Sequence, residues 1–153
     1  MVQRGRVRVG DIVKVPLADG TYGYAWVREE PLVSFFRHRD DGVGANVDAV
    51  LKSGTLFSIW VGNDPLANGA WIVVGHADLG VAGSEVRPAF FKQDAISGEL
   101  TITHDGAAEI PATAEDCATL ERAAVWRADH VQERLLDHFQ GRPNRWVESL
   151  RLR

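Results

Sequence analysis

The chain has 153 residues, of which 45% are hydrophobic and 25% charged, with a formal net charge of -4. These values are typical of one globular domain and exclude a disordered chain. The apolar runs fall far short of the roughly 18 to 20 residues of a membrane-spanning helix, and the single cysteine excludes an internal disulfide framework.

Charge is distributed unevenly along the sequence. Arginines are concentrated at both ends, whereas the middle carries the acidic pairs Glu29-Glu30 and Asp40-Asp41. We expect one domain over residues 1–153, with loose basic ends at 1–8 and 147–153. The acidic body either steers a basic partner or is a solvated surface that keeps the protein soluble. The N-terminus lacks an apolar segment typical of a signal peptide, which predicts a cytoplasmic protein.

The first predicted element is a β-hairpin. Asp19-Gly20 suits the two positive-φ positions of a type I′ turn, and β-branched and aromatic residues flank it. On the second strand Tyr22, Tyr24 and Trp26 share one face, because side chains alternate with period two. Small residues on the opposite face predict the close approach of another layer. The aromatic face is either part of the core or a recognition surface.

Further short strands follow in chain order, separated by turn signals. They are predicted at residues 32–38, 49–52, 55–61, 71–74 and 98–104, with a loop rich in Asp, Gly and Asn at 39–46. No long helical pattern separates the early strands. The spacing predicts an α+β fold, with a strongly curved antiparallel sheet or a small SH3-like barrel.

Two helices are predicted late in the chain. Thr113 provides a capping hydroxyl for a short helix that reaches Cys117. A longer amphipathic helix is predicted over residues 129–140, with Asp129 as its cap. We expect this helix to pack on the sheet. Its apolar residues recur every four positions: Val131, Leu135 and Phe139.

Motifs for cofactor or metal chemistry are missing from the sequence. None of the five histidines has a short metal-ligand spacing, and there is no Walker loop or nucleophile elbow. We therefore predict no metal and no cofactor. The aromatic residues lie in an acidic part of the chain that would repel phosphate, so nucleic acid is not the expected partner.

Several segments together resemble a known family. Residues 10–17 (GDIVKVPL) and 19–25 (DGTYGYA), with FFKQD at 90–94 and DHFQGRPNRW at 137–146, resemble the immunity protein 26 family. These are bacterial proteins associated with polymorphic toxin systems, and the group includes a small enzyme described as a phosphotriesterase. The resemblance implies a protein that neutralises a toxin by occluding its active site or locking its fold.

The leading hypothesis is an immunity-type protein that binds a cognate toxin domain. Aromatic anchors with charged rims usually supply the affinity and steering of such interfaces. The candidate contacts are therefore the aromatic face and the acidic pairs, namely Tyr22, Tyr24, Trp26, Glu29, Glu30, Asp40 and Asp41.

Two alternatives remain open from the sequence. The first is a small phosphotriester hydrolase, whose polar groups would come from the irregular middle segment where loops can carry a site: His76, Asp78, Lys92 and Asp94. The second is a structural or homo-oligomerising module in which the aromatic face forms a contact between chains.

Overall fold

The computed structural model describes residues 7–44, 46–78 and 87–153. The strands, in chain order, are β1 (Asp11–Pro16), β2 (Tyr22–Val27), β3 (Leu32–Asp40), β4 (Thr55–Val61), β5 (Ile72–His76), β6 (Phe90–Gln93), β7 (Leu100–Thr103), β8 (Ile110–Pro111), β9 (Glu121–Arg122) and β10 (Val125–Trp126). The helices are α1 (Val47–Ser53), α2 (Asp64–Ala67), α3 (Ala114–Cys117), α4 (Ala128–Phe139) and α5 (Arg145–Ser149).

The strands form two sheets. The large sheet has the order β10-β4-β3-β2-β1-β5, in which β1 to β4 are an antiparallel meander, β5 returns to pair with β1, and β10 joins β4 in parallel. The small sheet has the order β8-β7-β6-β9. The structure is therefore mixed α+β. Within the described residues the two end strands of the large sheet are not paired with each other, so the predicted SH3-like barrel and the strong curvature are not confirmed.

Both faces of the large sheet are covered. On one face α4 contributes Val131 and Leu135 to a core that includes Val15, Phe35 and Trp71. On the other face a smaller cluster packs beneath α1, formed by Ile12, Tyr24, Trp26, Phe36 and Val50. The predicted close approach of a second layer is confirmed, because a Cβ at Gly23 would lie 3.2 Å from Cδ1 of Leu135.

The predicted strand at 49–52 is wrong, since these residues belong to helix α1. The side chain of Asn46 caps the helix by accepting a hydrogen bond from Ala49 N at 3.1 Å. Only Val50 of the helix is fully buried. So short an apolar run is compatible with a buried strand or with a helix that lies on a sheet, and the sequence does not distinguish the two.

The first hairpin is confirmed, but its turn differs from the predicted type I′. Gly20 N donates to Leu17 O at 3.1 Å, and Leu17 N donates to Thr21 O at 2.9 Å, so the chain reverses over residues 17–20. Gly20 takes the left-handed position, with φ 86°. Asp19 instead accepts hydrogen bonds from the backbone and hydroxyl of Thr21, which is the usual role of an aspartate in a turn.

The two late helices lie close to their predicted positions. Thr113 and Asp116 form a capping box around α3. Helix α4 begins one residue before the predicted start, and Arg127 rather than Asp129 is its N-cap residue. The carboxylate of Asp129 pairs with the Arg127 guanidinium at 3.1 Å. In the described parts of the chain, no helix is both long and apolar enough to cross a membrane.

Candidate partner-binding site

A groove opens at one end of the large sheet, between the β2–β3 turn, α2 and β5. Its volume is about 1000 Å³. Three apolar residues of its lining remain largely exposed, at 48% for Val9, 56% for Ile72 and 43% for Val73. Their neighbours in the lining are Arg28, Glu30, Pro31, Leu66 and Trp71. We call this surface the groove.

The sequence builds the groove from tight turns around a buried tryptophan. The β2–β3 turn is closed by hydrogen bonds from Arg28 N to Leu32 O at 3.0 Å and from Leu32 N to Glu29 O at 2.8 Å. Pro65 is the second residue of the single turn of α2, and its carbonyl accepts a hydrogen bond from Trp71 N at 3.0 Å. Trp71 directly precedes β5 and is buried in the core. It therefore holds the first residue of the exposed strand in place.

Glu30 lines the groove, and Glu29 and Asp64 are direct sequence neighbours of lining residues. Glu29, Glu30 and Asp64 are exposed, and none of them forms an ion pair with another described residue. We call these three carboxylates the acidic rim. Arg28 is the basic residue in the lining, but it is buried and its Nη1 lies 3.4 Å from Ser34 Oγ. The groove therefore presents apolar surface bordered by negative charge.

The aromatic face predicted as a contact surface lies mostly in the core. Tyr24 and Trp26 are buried under α1, and only Tyr22 is partly exposed. Trp26 Nε1 donates to the carbonyls of Gly10 and Ala77, at 3.1 and 3.0 Å. These contacts leave Tyr24 and Trp26 unavailable for direct contact with a partner.

The hydroxyl of Tyr24 belongs to a partly buried polar cluster at the end of β3. It donates to Asp40 Oδ1 at 2.7 Å, and His38 Nε2 lies 2.9 Å from Asp40 Oδ2. Burial and the neighbouring Asp40 raise the pKa of Tyr24. Desolvation opposes the ionisation of Asp40, but hydrogen bonds from Tyr24, Gly42 and His38 hold its pKa below the usual range. Asp40 therefore stabilises the fold locally.

The two predicted acidic pairs lie at opposite ends of the sheet. Val27 pairs with Val33 beside Glu29 and Glu30, whereas Tyr22 pairs with Asp40 at the far end of the same ladder. Five residues of extended strand separate these ends, which corresponds to roughly 17 Å. Of the acidic residues predicted as contacts, Glu30 lines the groove and Glu29 precedes it in the chain, whereas Asp40 and Asp41 lie at the far end.

The four residues predicted for a hydrolase form two separate groups. His76 lies between two carboxylates, with Nδ1 2.8 Å from Asp11 Oδ1 and Nε2 3.0 Å from Asp78 Oδ1. The hydrogen bonds to Asp11 and then Asp78 raise the pKa of His76. Asp11 is buried, and Oδ2 of its carboxylate accepts from Arg8 N at 2.8 Å.

Lys92 and Asp94 have their partners in the small sheet. Lys92 Nζ donates to Gly106 O at 3.1 Å and to Glu109 Oε2 at 3.2 Å. Asp94 accepts the backbone N–H groups of Ile96 and Ser97, both at 2.8 Å, and these bonds lower its pKa. The contacts of the described residues do not join this pair to His76 and Asp78. No group of three or more His, Cys, Asp or Glu side chains within residues 7–44, 46–78 and 87–153 is arranged to hold a metal ion.

Neither the groove nor the hydrogen bond between Asp11 and His76 was predicted from the sequence. The apolar run at 71–74 correctly predicted a strand, observed as β5. Its position at the sheet edge depends on the pairing of β5 with β1, about 60 residues away, as in the register of Asp11 with His76. The local pattern of apolar residues carries no information about a pairing between strands so far apart in the chain.

The fold and the groove define an α+β protein with an apolar surface that is open to solvent. The sequence model of one family, Immunity protein 26, matches residues 8–100, and the chain belongs to this family. The match covers β1 to β6 and stops before the helix that completes the larger core. No curated protein and no solved structure gives a significant match.

Proposed function

We propose that this protein binds and neutralises a cognate toxin domain, and that the groove with its acidic rim is the contact surface. Membership of the immunity protein 26 family supports a role in toxin immunity. The observation that carries the choice of surface is the exposure of Val9 and Val73 at one groove, with the exposed Ile72 next to Val73 in β5. Exposed apolar clusters bordered by polar residues are typical of interaction sites.

The charge of the rim indicates the kind of surface that the toxin presents. Glu29, Glu30 and Asp64 favour a partner with basic residues around an apolar centre. Complementary charges increase the association rate and exclude wrong partners, whereas the apolar contacts supply most of the affinity. A toxin domain bound in this way loses activity if its own active site lies beneath the interface.

Co-expression of toxin and immunity protein tests this function. A partner is first isolated from the source cells with the tagged full chain, and its toxin domain is then expressed alone and with this protein. We expect growth arrest by the domain alone, rescue by the wild-type chain, and a stable purified complex. Growth arrest that the wild-type chain fails to relieve would contradict the proposed function.

A matched pair of variants tests the surface. The double variant Glu29→Lys, Glu30→Lys reverses two charges of the rim, and we expect it to slow association at low salt by about tenfold or more. The control is Glu99→Lys, Glu115→Lys, which makes the same change of charge at exposed residues beside the small sheet. Equal slowing by both variants would show that net charge, rather than the rim, governs binding.

The hydrolase remains the second candidate because one observation favours it. His76 is held between the carboxylates of Asp11 and Asp78, an arrangement that can hold and move a proton. A model phosphotriester, incubated with the purified protein, tests it with His76→Gln as the comparison. If the wild-type chain hydrolyses the substrate and His76→Gln hydrolyses it more slowly, the result would favour the hydrolase. Equal rates in the two proteins would exclude His76 from the reaction.

A further inference from the structure

The small sheet has buried residues of its own. Phe90 and Phe91 of β6 are buried, and so is Cys117 at the end of α3, which packs against β7. In the described part of the chain these residues belong to neither of the two clusters that pack on the faces of the large sheet. A unit with its own interior can open without unfolding the rest of a protein. The contacts between the two sheets therefore decide how firmly the small sheet is held.

Side chains from the large sheet and from α4 reach the small sheet directly. Trp60 of β4 packs on Phe90, with ring centroids 4.7 Å apart. Arg134 of α4 donates two hydrogen bonds to the carboxylate of Glu121 in β9, at 2.9 and 2.8 Å. The chain also passes from β9 to β10 of the large sheet through a short link. These contacts leave most of the small sheet without a neighbour from the large core.

The C-terminal residues connect α4 to the small sheet by a second route, and we call residues 144–153 the strap. At its start the buried Asn144 donates from Nδ2 to Asp137 Oδ2 at 2.9 Å. Its Oδ1 accepts from Trp146 N at 3.1 Å and so caps α5. The ring of Trp146 stacks on that of His130, with centroids 3.6 Å apart. This end of the strap is therefore fixed to α4.

The other end of the strap is held by two adjacent strands of the small sheet, β6 and β9, through its main chain. Arg122 of β9 donates from Nε to Leu150 O at 2.8 Å and from Nη2 to Arg151 O at 3.1 Å. Gln93 of β6 donates to Arg153 O at 2.8 Å and accepts from Arg153 N at 3.2 Å. Water readily replaces hydrogen bonds at such solvent-exposed positions, because their net contribution to stability is small. This end of the strap is therefore the end that releases first.

We propose that the strap is a latch, which holds the small sheet closed against the large sheet and lets it open as a unit when Gln93 and Arg122 release the strap. Opening separates Phe90 from Trp60 and leaves the meander of the large sheet folded. The described residues that line the groove all lie between Val7 and Val73. The latch is therefore independent of the proposed function.

Amide hydrogen exchange of the wild-type chain in increasing urea tests the opening without any variant. We expect residues 90–93 and 100–103 to exchange through an opening that depends less steeply on urea than the exchange of residues 22–27, because it exposes less surface. Equal protection and equal urea dependence in the two sheets would overturn the proposal, since the sheets would then open only together.

Two variants at opposite ends of the strap test the latch itself. Arg122→Met removes the donors to the strap and keeps an apolar side chain over Phe91. Asn144→Ala removes the anchor on α4, away from the small sheet. We expect each variant to speed exchange at residues 90–93 and 100–103 by about tenfold or more, with the meander unchanged. Unchanged exchange of the small sheet in Asn144→Ala would overturn the latch.

Arg127→Met and Asn68→Ala are the matched controls. Arg127 pairs with Asp129 at the surface, and Asn68 accepts from Ala70 N at 2.8 Å in the turn after α2. We expect both controls to leave the exchange of the small sheet unchanged. Equal acceleration by the controls, or equal acceleration of both sheets in the strap variants, would show a general loss of stability and contradict the latch.

Discussion

The two edges of the large sheet differ in what covers them. At the β4 edge, β10 adds a short parallel strand, and its residue Trp126 is buried in the core. At the other edge, β5 is anchored at its start by Trp71 and at its end by the contact of His76 with Asp11, while Ile72 and Val73 stay exposed. The comparison shows that exposure at β5 is not a sign of loose attachment. An exposed strand that is held at both ends is well suited to partner binding, because little ordering is needed on association.

The largest expected effect concerns the anchor of β5. Trp71→Ala removes a buried side chain that makes an edge-to-face contact with Phe35, with ring centroids 5.9 Å apart. We expect a loss of about 3 to 5 kcal/mol in the free energy of unfolding, measured by urea denaturation. At the covered edge, Val125→Ala changes a side chain that is 63% exposed, and we expect a loss within about 0.5 kcal/mol. Similar losses in both variants would contradict the firm anchoring of β5.

A smaller effect is expected from the covered face of β5. Gly75→Ala forces a methyl group against Val47 Cγ2, and overpacking of this kind costs about 1 to 3 kcal/mol. The double variant Gly75→Ala, Val47→Ala removes the opposing side chain, and we expect it to cost less than the sum of the two single changes. Strict additivity, measured by the same denaturation assay, would show that α1 does not press on β5.

The smallest effect concerns the end of β5 and depends on pH. The pKa of His76 is raised from 6.5, chiefly by its hydrogen bond to Asp11. A group with a raised folded-state pKa stabilises the protein fully below its unfolded pKa, and the stabilisation is lost as pH rises through the folded value. We therefore expect the stability difference between the wild type and His76→Gln to be largest below about pH 6.5 and to shrink above it. A difference that grows with pH would contradict this attachment.

The local parts of the fold followed from the sequence, and the candidate site did not. Glycine at 20 and the capping pattern from Thr113 to Asp116 are short-range signals, so the hairpin and α3 were predictable. The aromatic residues of β2 had two interpretations, and only the position of α1 above Tyr24 and Trp26 places them in the core. The groove requires the return of β5 to β1 across the whole meander, which no local pattern encodes.

Amide hydrogen exchange of the complex with the neutralised toxin domain tests whether the groove is the contact surface. We expect exchange to slow at residues 28–32 and 72–76, which surround the groove and form β5, while β10 and the small sheet exchange as in the free protein. Slower exchange at residues 40–44 or in the small sheet, with the groove unchanged, would contradict it.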